Sequence, residues 1–128
     1  MVPGMSEPVS HFTHVVRAGR LVFVSGCVAT DGAGRVVGGN DIVAQTRQVH
    51  ENIKRCLSAA GATFADICKV TVFLRNINDR EKVNTVRKEY FGAPHGRAMK
   101  RAMAPGEFSR GEKEMVAAVV SGVNACHY

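Results

Sequence analysis

The sequence contains no tryptophan, and aromatic residues make up only 6% of its 128 positions. A core built from it must therefore rest on packed Val, Ile, Leu and Ala side chains rather than on rings. No apolar window approaches the roughly 18 residues that a membrane-spanning helix requires, which excludes insertion by such a helix. There is no Gly-rich loop ending in Lys-Ser/Thr, so a phosphate cradle of that kind is excluded, and Gly32, Gly34, Gly38 and Gly39 read as turn glycines. The four cysteines, Cys27, Cys56, Cys68 and Cys126, lack metal-site spacing. They are expected to be free thiols in a reducing cytoplasm. The start, Met1 to Glu7, has no basic stretch followed by an apolar one, so no export signal is expected.

The charged fraction, 22% against 45% hydrophobic, is too low for a disordered chain and leaves ample apolar surface to bury. The length suits a single domain over residues 1–128. Net charge is +6, from 17 basic and 11 acidic residues, which makes anions plausible partners without choosing among them. Basic residues are scattered rather than blocked, and the densest stretch, 97–113, also contains Glu107 and Glu112.

Periodicity supplies the elements. Residues 1–10, with Pro3, Gly4 and Pro8, read as a loose lead-in. Phe12–Arg17 and Leu21–Val28 are β-branched runs joined by Ala18-Gly19-Arg20, the pattern of an antiparallel hairpin. From Asn40 the period changes: Ile42, Thr46, Val49, Ile53, Leu57 and Ala60 recur at three- and four-residue steps. That spacing predicts an amphipathic helix of about five turns, with Asn40 as N-cap and Gly61 just past its end. Ile67–Leu74 reads as a central strand. A second helix is capped by Asn78 or Asp79 and carries Val83, Val86 and Tyr90 on one face. Beyond Pro94, Arg97–Met103 is expected to form a strand, Pro105–Gly111 a loop and Met115–Val123 a last strand. The order β-β-α-β-α-β-β, one sheet with both helices on one side, is α+β.

Each candidate for chemistry has a bland counterpart. His11 and His14 stand three apart, which along a strand would put them on opposite faces, and Cys126-His127 sits at a terminus. No metal site is expected. Cys27, after Ser25-Gly26, is a nucleophile only if a partner lowers its pKa, and otherwise a small buried hydrophobe. Arg97 opens a strand where a guanidinium could hold a carboxylate bidentately, and Glu114, at the mouth of the last strand, could act as acid or base. A solvated surface role is the alternative for both.

Four separated stretches, Val16–Gly26, Asp41–Gln48, Ala59–Ala62 and Lys69–Leu74, together resemble the RidA/YjgF family of enamine/imine deaminases, also called the L-PSP ribonuclease family. The likeness runs in order over residues 10–93. It implies a chorismate-mutase-like fold and a homotrimer with clefts between neighbouring subunits. It also implies hydrolysis of 2-aminoacrylate-type enamines and imines to a 2-keto acid and ammonia, without cofactor or metal. By the same likeness Arg97 would bind the substrate carboxylate, Ser25, Gly26 and Asn84 would line the pocket, and Glu114 would position the attacking water.

Departures from the family pattern are visible. Phe12 stands where many members have Tyr and Cys27 where Gln is frequent, both at substrate-binding positions. Residues 94–128 diverge more than the rest, and 104–114 is about two residues longer than usual. Three further readings stand beside it: deamination of an aminomuconate at the same site, binding or cleavage of single-stranded RNA, favoured by the +6 charge and the basic residues of 97–113, and a non-catalytic trimer that binds a small carboxylate. RNA is the less favoured partner, because a stacking platform needs exposed aromatics.

Overall fold

The computed structural model describes residues 1–91 and the backbone of the strand 118–123. In chain order the elements are β1 (Val15–Ala18), β2 (Leu21–Val24), α1 (Ile42–Ala59), β3 (Lys69–Leu74), α2 (Arg80–Phe91) and β4 (Ala118–Val123), with single 3-10 turns at Phe64–Asp66 and Ile77–Asp79. The expected strand Arg97–Met103, the loop Pro105–Gly111 and the first residues of the expected last strand lie outside the described residues.

β1 and β2 form an antiparallel hairpin in the register Val15↔Val24 to Ala18↔Leu21. Only Gly19 and Arg20 separate the strands, and Gly19 has φ +59°. A two-residue turn that follows the twist of its strands needs a positive φ at its first position. The hairpin is shorter than Phe12–Arg17 and Leu21–Val28 predict. Backbone pairing continues one step, Ser25 N–H to His14 C=O at 3.0 Å, after which both chains leave the ladder. β3 pairs with β4 in parallel, Lys69↔Ala118 to Leu74↔Val123, and β2 lies beside β4. β3 starts two residues later than expected, because the Ile67 N–H closes the preceding 3-10 turn on Phe64 C=O.

α1 has the expected five turns and Gly61 is its terminator. Gly61 (φ +71°) donates to Ser58 C=O and Ala62 N–H donates to Leu57 C=O, the two bonds of a Schellman ending. The N-cap is Asp41 rather than Asn40: its carboxylate accepts from the N–H groups of Val43 and Ala44. α2 begins at Arg80, the residue after Asp79, the second of the two expected caps; Ile77–Asp79 forms a 3-10 turn before it, where the Asn76 side chain accepts from the Asn78 N–H.

The core lies between α1 and the inward side of the strands. Val49, Ile53, Cys56 and Leu57 of α1 meet Val24, Cys27, Ala29 and Ile67, with Val15, Val22, Val70 and Leu74 packed around them. On the opposite face the apolar side chains Val16, Phe23 and Phe73 are 46%, 41% and 53% exposed. Residues 1–10 form no helix or strand, but they are not the loose lead-in expected. Val2 is buried, Met5 packs on the core, and Ser6 C=O lies 2.8 Å from His14 Nε2.

Candidate functional site

The segment that follows β2 carries three of the expected pocket residues, and its local geometry follows from one slip in parity. Along β2 the inward residues are Val22 and Val24; further on they are Cys27 and Ala29, an odd step away. Strand side chains alternate with a period of two, so a residue is left over at Ser25-Gly26, as at a β-bulge. This slip takes Ser25 and Gly26 out of the regular ladder. Ser25 is half-buried and its hydroxyl donates to Thr13 C=O at 2.5 Å, tying the segment to the residue next to Phe12. Phe12 is exposed and meets the His14 ring edge-on, with centroids 5.6 Å apart.

Cys27 points the other way. Its side chain is 2% exposed, in the core, with Sγ 3.6 Å from Ser25 C=O. The Cys56 thiol beside it, and then burial, keep the Cys27 thiol protonated, far above the usual thiol range. A nucleophile needs the thiolate, so Cys27 is the small buried hydrophobe of the two readings, and any contribution to a pocket comes from its backbone.

Asn84 is on α2, half-buried, beside buried Val83. α2 packs on α1 and on the two 3-10 turns, whereas the Ser25 segment follows β2. Arg97 and Glu114, and with them Cys126-His127, lie outside the described residues. His11 and His14 precede β1 rather than lying in it. Among the described residues no three His, Cys, Asp or Glu side chains are grouped as a metal site would need. A cleft of about 280 Å³ opens between the start of α1 and the end of β3. Asn40, Gln45, Arg75 and Asp79 line it, and none of the candidate residues is among its described lining.

Two arrangements have no counterpart in the sequence reading. The first is Asn52, 1% exposed on the buried side of α1. Its Nδ2 donates to Val28 C=O (3.0 Å) and Thr30 C=O (2.9 Å), while its Oδ1 accepts from Gln48 Nε2 (3.1 Å) and Arg55 (2.8 Å). A side-chain amide has two donor hydrogens and two lone pairs, and all are engaged. The signal available in sequence was its position, three after Val49 and four before Cys56, a polar residue inside the apolar stripe.

The second arrangement joins the helices. The His50 ring stacks on Tyr90 at 4.9 Å between centroids and is flanked by Phe64 and Phe91. Its Nδ1 lies 2.8 Å from Thr46 C=O. Burial lowers the His50 pKa below the ordinary value, and the Arg87 charge works in the same direction. Burial and the bond to Glu51, at 2.8 Å, push the Tyr90 hydroxyl up to about 12. Arg47 and Glu89 pair at the exposed edge of the same contact.

A strand hairpin and a parallel strand pair covered by two helices, with an irregular segment at the hairpin's open end, define an α+β protein whose candidate pocket lies beside its sheet. The family model described as Endoribonuclease L-PSP matches residues 4–119, and the chain belongs to that family, which is the RidA/YjgF family. A RutC family protein of Pyrococcus horikoshii is 45% identical over 87 residues, 67% of this chain and 68% of that one. The 3-aminoacrylate deaminase RutC of Acinetobacter baylyi is 38% identical over 69% of this chain and 70% of its own. A 2-iminobutanoate/2-iminopropanoate deaminase of Dermatophagoides farinae is 30% identical over 72% of each. The crystal structure of RidA from an Antarctic Psychrobacter superposes with a TM-score of 0.65 at 23% identity, covering 91% of this chain and 78% of that one. At that identity the likeness speaks for the fold, which is the expected α+β one. The family includes deaminases.

Proposed function

We propose that this protein hydrolyses enamine and imine intermediates of the 2-aminoacrylate type to 2-keto acids and ammonia. The observation that carries the reading is the likeness, over more than two thirds of the chain, to proteins named as 3-aminoacrylate and 2-iminobutanoate/2-iminopropanoate deaminases. The chemistry asks little of the protein. The enamine tautomerises to an imine, water adds to the imine carbon, and the C–N bond breaks to release ammonia and leave the ketone. Arg97 holds the substrate carboxylate, Glu114 positions the water, and the Ser25-Gly26 segment and Asn84 line the pocket. Holding water against an already electrophilic carbon supplies most of the acceleration by orientation alone.

The pocket forms between copies of the chain in a homotrimer. Support comes from exposed apolar side chains on the outward side of the strands, Val16 beside Phe23 across the hairpin and Phe73 on β3, the kind of surface that marks an interaction site when it is contiguous. Asn84 also stands on α2, whereas Ser25 follows β2. Among the described residues no helix is long and apolar enough to cross a membrane. The free thiols Cys27, Cys56 and Cys68 suit a reducing cytoplasm.

The test couples purified protein to a pyridoxal-phosphate dehydratase that releases 2-aminoacrylate and measures the rate of pyruvate formation. The protein accelerates it and Arg97→Ala does not. A wild-type rate equal to that of buffer refutes the reading, and capture of a 2-keto acid without turnover selects a carboxylate-binding trimer instead. Phe23→Glu should lower the mass in sedimentation from trimer towards monomer. The net charge of +6 and the family model's description favour RNA as the second reading. Absence of RNA retention at low salt, where phosphate contacts are strongest, would end it.

A further inference from the structure

We infer that Asn52 is a positioning residue for the candidate pocket: it fixes the shifted register of residues 25–30 against α1 and so sets where Ser25 and Gly26 stand. The role rests on the deaminase reading only for its effect on turnover.

The slip at Ser25-Gly26 needs an external restraint. A one-residue change of register exchanges the two faces of a strand, and past the slip the cross-strand ties, Val37 N–H to Ala29 C=O at 2.7 Å and the Thr30↔Val36 bridge, join the segment to the turn that follows it rather than to α1. At its start the segment is held by the hairpin through Ser25 N–H and Oγ. Past the slip, the Thr30 N–H donates to Val28 C=O at 2.9 Å, a γ-turn about Ala29. That curl brings the carbonyls of residues 28 and 30 to the same amide, Asn52 Nδ2. Gln48 Nε2 adds a second bond to Thr30 C=O at 3.0 Å, and the Gln48 and Arg55 donors hold the amide of Asn52 in the one orientation that presents its NH2 group to the segment. With the opposite register Cys27 and Ala29 would face out, and these carbonyls would not meet a donor.

Asn52→Asp tests this with almost no change of volume. It replaces the two-hydrogen donor by an acceptor facing two carbonyls. Amide hydrogen exchange at residues 25–30 should accelerate at least tenfold while that of Val15–Val24 and α1 changes little. Val83→Ala, a core substitution on α2 away from the segment, serves as the control: its exchange increase should spread over the fold. Gln48→Met, which removes one of the three donor contacts, should shift the same amides by a smaller factor and covers the case in which Asn52→Asp does not fold. With 2-aminoacrylate, Asn52→Asp should lose at least tenfold in kcat/KM and Val83→Ala less than twofold. Exchange in both Asn52→Asp and Gln48→Met no more localised than in Val83→Ala overturns the inference, as does full turnover by Asn52→Asp in an active protein. If the wild type is inactive, the deaminase reading falls and the exchange pattern alone decides the role of Asn52.

Discussion

Lowering the pH should loosen the contact between α1 and α2 through His50, and the effect can be isolated by one substitution. His50 is buried among Tyr90, Phe64 and Phe91, and its pKa is lowered first by burial, with Arg87 disfavouring and Glu51 favouring the charged form. In the unfolded chain a histidine titrates near its ordinary value of 6.5. Below that pH and above the folded value, the unfolded chain holds the extra proton. Stability therefore rises with pH through this window, is fully present above it, and is lost as pH falls through 6.5. One proton difference gives a slope of at most about 1.4 kcal/mol per pH unit. His50→Phe keeps a flat ring in the stack and removes the titration. Thr46 C=O retains the backbone N–H of residue 50 in the helix, so no acceptor is orphaned. Urea unfolding of both proteins at pH 7.5, 6.5 and 5.5, at one protein concentration and ionic strength, gives the comparison. Wild type should lose stability between pH 6.5 and 5.5 relative to His50→Phe, by at most the slope above, and the two should run parallel between 7.5 and 6.5 apart from the last of the titration. Parallel curves over the whole range would refute a buried neutral His50.

Gly38→Ala should cost about 2 kcal/mol or more. A Cβ there would lie 2.9 Å from the Gln45 backbone nitrogen, at φ +87°, and an unchanged melting temperature would contradict that close approach. Asp41→Ala removes the acceptor of two N–H groups at the start of α1 and should cost about 1 kcal/mol by denaturant titration, whereas Asp41→Asn keeps most of it. Peptide mapping after iodoacetamide treatment of the native protein should find Cys68 modified and Cys27 and Cys56 protected until denaturant is added. Rapid native labelling of Cys27 would argue against its buried, protonated state.

The helices were legible because their signals are local. The three- and four-residue spacing from Ile42 to Ala60 and the glycine after it fix α1 to within a residue or two, and only the cap moved, from Asn40 to Asp41. Strand ends were read less well. Val28 continues a β-branched run, yet the ladder stops at Val24, because packing Cys27 and Ala29 under α1 outweighs continued alternation. The candidate site was legible as residue types in a family pattern. Its geometry was not: whether Cys27 faces a cleft or the core depends on a parity slip that no propensity records. Asn52 escaped notice because its partners are the carbonyls of residues 28 and 30, more than twenty positions away.

What the sequence determined by itself is the aliphatic core, the period and terminator of α1, the presence of the hairpin and the family, since each depends on neighbours along the chain or on ordered motifs. Tertiary structure alone decided which way the residues after β2 face and that one buried amide holds them there. It also decided that an imidazole is buried between the helices, where its charged form is disfavoured. Each of these depends on which groups lose water together, and that is fixed only when distant segments meet.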